Sequence, residues 1–164
     1  MKTKNFRNIF MASLAGLAIA GTVFISSCDK ENDDDNKNPN SKYTISGAAS
    51  GAQETPPVTT NGAATLTGSY DSLSKQLIYS INWTGLSGDV TVAHFHGPAL
   101  AGESASPLQD IAIVANGMNG STADTITAST DLHMALLAGK VYYNLHTAAN
   151  PDGEIRGQVN LSPQ

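Results

Sequence analysis

Two short histidine-bearing segments carry the chemistry open to this chain. The first is His94-Phe95-His96-Gly97-Pro98, and about fifty residues later comes Tyr143-Asn144-Leu145-His146-Thr147. In a β-strand alternate side chains share a face, so His94 and His96 are predicted to project together and Phe95 the other way. The second segment alternates in the same sense, with Val141, Tyr143 and Leu145 on an apolar face and Tyr142, Asn144 and His146 opposite. If the two strands share a sheet, three imidazoles converge on its outer face. Neutral imidazole is a good ligand for copper, zinc or nickel. Two ligands from one strand and a third from a paired strand make a three-nitrogen site with room for a fourth ligand.

A second reading of the same residues stays open. His94, His96 and His146 can instead bond loop backbone, Asn144 or Thr147, and pin the loop over residues 97–107 without any ion. His133 has no partner in sequence and is expected to be solvated. Glu154, Arg156 and Gln158 fall on one face of a further strand. They read either as a polar outer row, with Arg156 paired to Glu154 or another acid, or as a recognition surface in which Arg156 binds a carboxylate. The chain has no Gly-x-Ser-x-Gly, no phosphate-binding glycine loop and no close carboxylate pair in a recognisable setting.

The elements that must position these groups are short strands between turn residues. Strands are predicted over 42–48, 63–70, 76–83, 90–96, 108–115, 124–128, 140–147 and 154–161. The last two form a hairpin across Asn150-Pro151-Asp152-Gly153. Segment 76–83 alternates most cleanly, placing Leu77, Tyr79, Ile81 and Trp83 on one face. Thr130 can cap a short helix over 131–137, with Leu132 and Leu136 on one side and Gly139 as the stop. The fold expected is an all-β Greek-key sandwich of about eight strands with one short helix.

Residues 1–27 read as a secretory signal: Lys2, Lys4 and Arg7 precede an apolar run from Ile9 to Ile25. The run is short for a membrane span, which needs roughly 20 residues. It ends in Ile25-Ser26-Ser27-Cys28, which resembles a bacterial lipobox, with Cys28 as the lipidated N-terminus of the mature chain. Cys28 is the only cysteine, so neither an intrachain disulfide nor a thiolate metal site is available. Residues 28–41 are polar and acidic and read as a flexible tether. Past residue 40 the chain carries nine acids against Lys42, Lys75, Lys140 and Arg156. Phosphate backbones repel such a surface, so nucleic acid is not an expected partner, and membrane contact is assigned to the acyl chains. These features place the protein at an outer membrane, lipid-anchored, on the cell surface or the periplasmic face.

The two histidine segments belong to a longer series. Gly51-Ala52-Gln53-Glu54-Thr55-Pro56-Pro57-Val58 comes first, followed by Gly85-Leu86 before the His-x-His. Leu137-Ala138-Gly139-Lys140-Val141-Tyr142 precedes the second histidine segment, which runs on into Asn150-Pro151-Asp152-Gly153-Glu154-Ile155-Arg156-Gly157-Gln158. In this order the motifs resemble the CHRD (chordin-type) domain, here over residues 42–162. The resemblance implies a cell-envelope lipoprotein acting as a non-enzymatic binding or interaction module, with a protein, glycan or small-molecule ligand. A more distant likeness is to copper/zinc superoxide dismutase. Gly85-Leu86 with His94-Phe95-His96 is similar to that family's copper-binding strand, and residues 139–146 to its strand bearing a further copper ligand. That likeness implies His94, His96 and His146 as copper or zinc ligands in a carrier, sensor or small redox enzyme. The chain lacks the bridging histidine, the zinc-ligand cluster and the cysteine pair of that family, so dismutase activity does not follow.

Overall fold

The computed structural model describes residues 41–164. The leader, the lipidation at Cys28 and nearly all of the tether lie outside the described residues. The strands are β1 (Lys42–Ser50), β2 (Ala63–Asp71), β3 (Gln76–Thr84), β4 (Val90–His96), β5 (Pro107–Asp110), β6 (Gly120–Thr127), β7 (Tyr142–Thr147), β8 (Ile155–Gln158) and β9 (Asn160–Pro163). The single helix among the described residues, α1, spans Thr130–Leu137. Every strand pairing is antiparallel. The all-β class with one short helix, read from alternation and turn residues, is the architecture observed.

The strands follow the order β5-β4-β7-β8-β1-β2-β3-β6, with β9 beside β1. They form one continuous sheet curled over its own inner face. β1 makes the bend: Tyr43 to Ser46 pair with β9, while Ser50 pairs with Arg156 of β8. Leu77, Tyr79, Ile81, Trp83, Phe95, Val141, Tyr143 and Leu145 are all buried in the shared core, as their alternation predicts. Full burial of such side chains contributes roughly 1.5–3 kcal/mol each. The two ends of the sheet meet where the Tyr79 ring of β3 packs edge-on against Phe95 of β4, with centroids 5.2 Å apart. The hydroxyl of Tyr143 donates to the carbonyls of Ala64 and Gly47 at 3.3 and 3.4 Å, and Trp83 Nε1 donates to the Gly117 carbonyl at 2.9 Å. Both polar tips are thereby satisfied within an apolar setting.

Several boundaries differ from the sequence expectation for tertiary reasons. The last predicted strand divides at Val159, which is buried and bonds the Val141 carbonyl at 2.8 Å; β8 then serves β7, and β9 serves the start of β1. β5 stops at Asp110. β6 begins earlier than expected, at Gly120, because β3 offers it an unbroken ladder from Gln76 to Trp83. The helix cap is Ser129 rather than Thr130: its side chain accepts from the Leu132 amide at 3.2 Å. Gly139, at φ +66°, ends the helix as predicted. His133 is half-buried rather than solvated, and its Nδ1 contacts the Tyr70 hydroxyl.

Candidate metal centre

β4 and β7 pair in the register that sequence alternation requires. His94 lies opposite Asn144, His96 opposite Tyr142, and Val92 opposite His146. The row continues on both sides, since His94 also pairs with Asp110 of β5 and Asn144 with Arg156 of β8. Phe95, Tyr143 and Leu145 enter the core, which turns His94, His96, Tyr142, Asn144 and His146 to the opposite face. That face is not open. All six residues of β7 are buried, because segments 51–58, 97–106 and 149–153 fold over it.

His94, His96 and His146 each offer a ring nitrogen within 4.8 Å of the others. The ring of His94 stands edge-on to both neighbours, with centroids 5.2 Å from each. The covering loops fix how two of the rings are protonated. His96 Nδ1 lies 2.9 Å from the Ala105 carbonyl, and His146 Nδ1 lies 2.8 Å from the Pro151 carbonyl. A carbonyl only accepts, so in the neutral ring each Nδ1 carries the hydrogen and each Nε2 keeps a lone pair. Both Nε2 atoms lie 3.0 Å from Asn144 Oδ1. The Asn144 amide nitrogen is turned the other way, toward Glu54. His94 has no such outlet: its Nδ1 is buried and lacks a hydrogen-bond partner among the described residues. Its Nε2 faces the exposed Asp110 carboxylate at 3.8 Å. His96 and His146 thus each turn one nitrogen to a backbone oxygen and the other to Asn144, and His94 turns Nε2 toward Asp110, outer contacts of the kind that orient histidine ligands in metal sites.

The electrostatics disfavour a charge on His94 and His96. Burial pushes the His94 pKa below its ordinary value, and the neighbouring His146 and His96 push the same way against Asp110. Burial also lowers His96, opposed by its bonds to Ala105 and Asn144 and assisted by His146 and Arg156. Three imidazole nitrogen donors suit copper or zinc far better than calcium or magnesium, which prefer oxygen. A shared ion needs nitrogen distances of roughly 2.0–2.1 Å, so the rings must draw together around it.

The structure also joins the two sequence readings of the histidines. His96 does pin the loop over 97–106, through Ala105, yet that bond uses only one ring nitrogen. Around the cluster, Tyr142 stacks on His96 with centroids 4.7 Å apart and planes 3° from parallel, and the Arg156 guanidinium lies 3.5 Å above the Tyr142 ring. Glu54 is buried beside Asn144, and its Oε1 has no hydrogen-bond partner among the described residues. Burial raises the Glu54 pKa, against Arg156, the Thr55 amide and the Asn144 amide. A Cβ on Gly153 would come within 2.5 Å of Glu54 Oε1 and 2.9 Å of Asn144 Nδ2, so the turn before β8 needs glycine there.

Glu154 and Arg156 form no exposed row. Glu154 is fully buried and takes hydrogen bonds from Thr60, Ser87 and Thr147. Arg156 is buried in a separate environment, with bonds to Thr55, Leu100 and Gln158. Neither pairs with the other. Asn144 was named from sequence as a possible partner of the histidines and bonds two of them, whereas Tyr142 was visible only as a residue sharing the face of His146. Glu54 sits in the early motif at 51–58, and nothing local marks it as a neighbour of the cluster.

Among known families, the CHRD domain model matches residues 45–159. No curated protein and no solved structure matches the chain.

Proposed function

The chain belongs to the CHRD domain family, and on that premise we propose that it is a non-enzymatic binding module of the cell envelope whose ligand is a copper or zinc ion. The ion is held by His94, His96 and His146. One observation carries the reading: the buried Nδ1 of His94 has no hydrogen-bond partner among the described residues, in a cluster whose other two rings are already oriented by backbone carbonyls. A buried nitrogen without a partner costs roughly 1–3 kcal/mol, and an ion removes that cost. Hydrogen-bonding struts alone account for His96 and His146 but leave His94 unexplained. The likeness of the two strands to the copper strands of superoxide dismutase supports the same ligand set.

Calorimetric titration of the full chain with copper and with zinc tests this. Saturable binding of one ion per chain is expected, tighter for copper in keeping with the divalent series. Protons compete for the ring nitrogens, and burial holds His94 and His96 below their ordinary pKa. Binding should therefore persist at pH 6.5, the unperturbed value, and fall only at lower pH. No saturable binding at neutral pH would leave the histidines as struts and the domain as a module for some other ligand.

The envelope address rests on the leader and on Cys28. The mature chain is expected to begin at an acylated Cys28 and to be retained by its acyl chains. Mass spectrometry of the mature N-terminus checks it: an unmodified terminus elsewhere would refute the anchor.

A further inference from the structure

Arg156 presents a chemical problem that the metal reading does not absorb. It is 2% exposed and is the only arginine among the described residues. A guanidinium buried to this degree ordinarily faces a carboxylate, because an unpaired buried charge is costly. Here its three hydrogen bonds all go to neutral oxygens: Leu100 carbonyl and Gln158 Oε1 at 3.1 Å, and Thr55 Oγ1 at 3.4 Å. The one acid–base contact within 4.0 Å among the described residues is that of His94 with Asp110. Glu54 feels the field of Arg156 but lies beyond ion-pair distance.

The same guanidinium floors a cleft of about 420 Å³, whose walls include Glu54, Thr55, Pro57, Ala101 and Gln158. Its central carbon lies 3.5 Å over the Tyr142 ring, and its three bonds leave two of the five N–H donors of an arginine unassigned. We propose that this cleft binds a small organic monocarboxylate, the carboxylate pairing with Arg156 and a short apolar tail lying against Pro57 and Ala101. A single negative charge matches a single uncompensated cation. Either anion shares the cleft with the Glu54 carboxyl, and a phosphate dianion meets it with twice the charge of a monocarboxylate. The cleft volume suits a small molecule rather than a peptide surface.

The test uses the metal-free full chain, so its outcome is separate from that of the metal titration. Sodium butyrate is titrated while the amide resonances of residues 52–55 and 99–102 are followed by NMR, with n-butanol and sodium phosphate as comparison probes. Saturable shifts are expected with butyrate alone. Arg156→Gln should weaken binding at least tenfold. Should that variant fail to fold, Ala101→Trp provides the second arm: position 101 is exposed, and the indole fills the cleft mouth without touching the core. It should also weaken binding at least tenfold. Absence of saturation with butyrate, equal response to butanol or phosphate, or unchanged binding in folded Ala101→Trp would overturn the proposal.

Discussion

Replacing His96 with alanine should lower copper affinity by roughly 100-fold or more, about 2.8 kcal/mol at 1.4 kcal/mol per tenfold. The residue supplies one of three nitrogens, and its Nδ1 bond to Ala105 aims the other nitrogen inward. His94→Ala should cost a comparable amount, which separates the two accounts of this cluster. His94 makes no good hydrogen bond through its buried Nδ1, so as a strut it is nearly dispensable, whereas as a ligand it is not. His133→Ala is the control, since that ring sits on α1 against Tyr70. Ion binding should also raise the melting temperature of the native chain, because a ligand that binds only the folded state stabilises it by mass action. The His94 and His96 variants should lose that rise, and the His133 variant should keep it. A His94 variant with native affinity would remove the three-nitrogen site.

The second large effect falls on stability. The Glu154 carboxylate accepts from Thr60 Oγ1 at 2.6 Å, the Ser87 amide at 2.8 Å, the Ser87 hydroxyl, and Thr147 Oγ1 at 2.6 Å. It ties the entry to β2, the β3–β4 connection and the end of β7 to the start of β8. Glu154→Ala would leave these donors facing a cavity, and the expected loss is roughly 3–5 kcal/mol. Burial alone would raise the Glu154 pKa, but the bonds from Ser87, Thr147 and Thr60 outweigh it and bring the carboxyl down to about 2 from 4.5. A depressed folded pKa means the unfolded chain binds the proton first as pH falls. The associated stability, on the order of 3 kcal/mol, is present above pH 4.5 and is lost as the pH drops toward 2. Urea unfolding of wild type and Glu154→Gln across that range isolates it. The stability difference between the two should shrink steadily with acid, and a constant difference would contradict the assignment.

The histidine cluster and the inner core were legible because both rest on one periodicity. Phe95, Tyr143 and Leu145 are buried for the same reason that His94, His96 and His146 face the other way. The parts that were not legible depend on partners that sequence does not label. Gly120 to Ala123 carries no strong strand signal and becomes strand because β3 supplies its ladder. The carbonyls of Ala105 and Pro151 set the imidazole tautomers, yet a carbonyl is common to every residue. Glu154 and Arg156 read as a surface row because a strand alone does not reveal that three loop segments cover its outer face. That cover converts a polar stripe into two unlike interiors, one a saturated carboxylate and one a lone guanidinium.

The pairing of β4 with β7 has a further consequence for how the chain reaches its native state. Each strand divides its residues between two duties by parity, and an irregularity between Val90 and Val92 adjusts this pairing locally, as one between Phe95 and His96 adjusts the pairing of β4 with β5. A slip of one residue in β4 would carry His94 and His96 into the hydrocarbon interior and turn Phe95 outward. Such a chain could still be extended, antiparallel and compact, yet it would be blind to the ion. Metal uptake would then be a proofreading signal as much as a function, reporting chain by chain whether the strands were counted correctly.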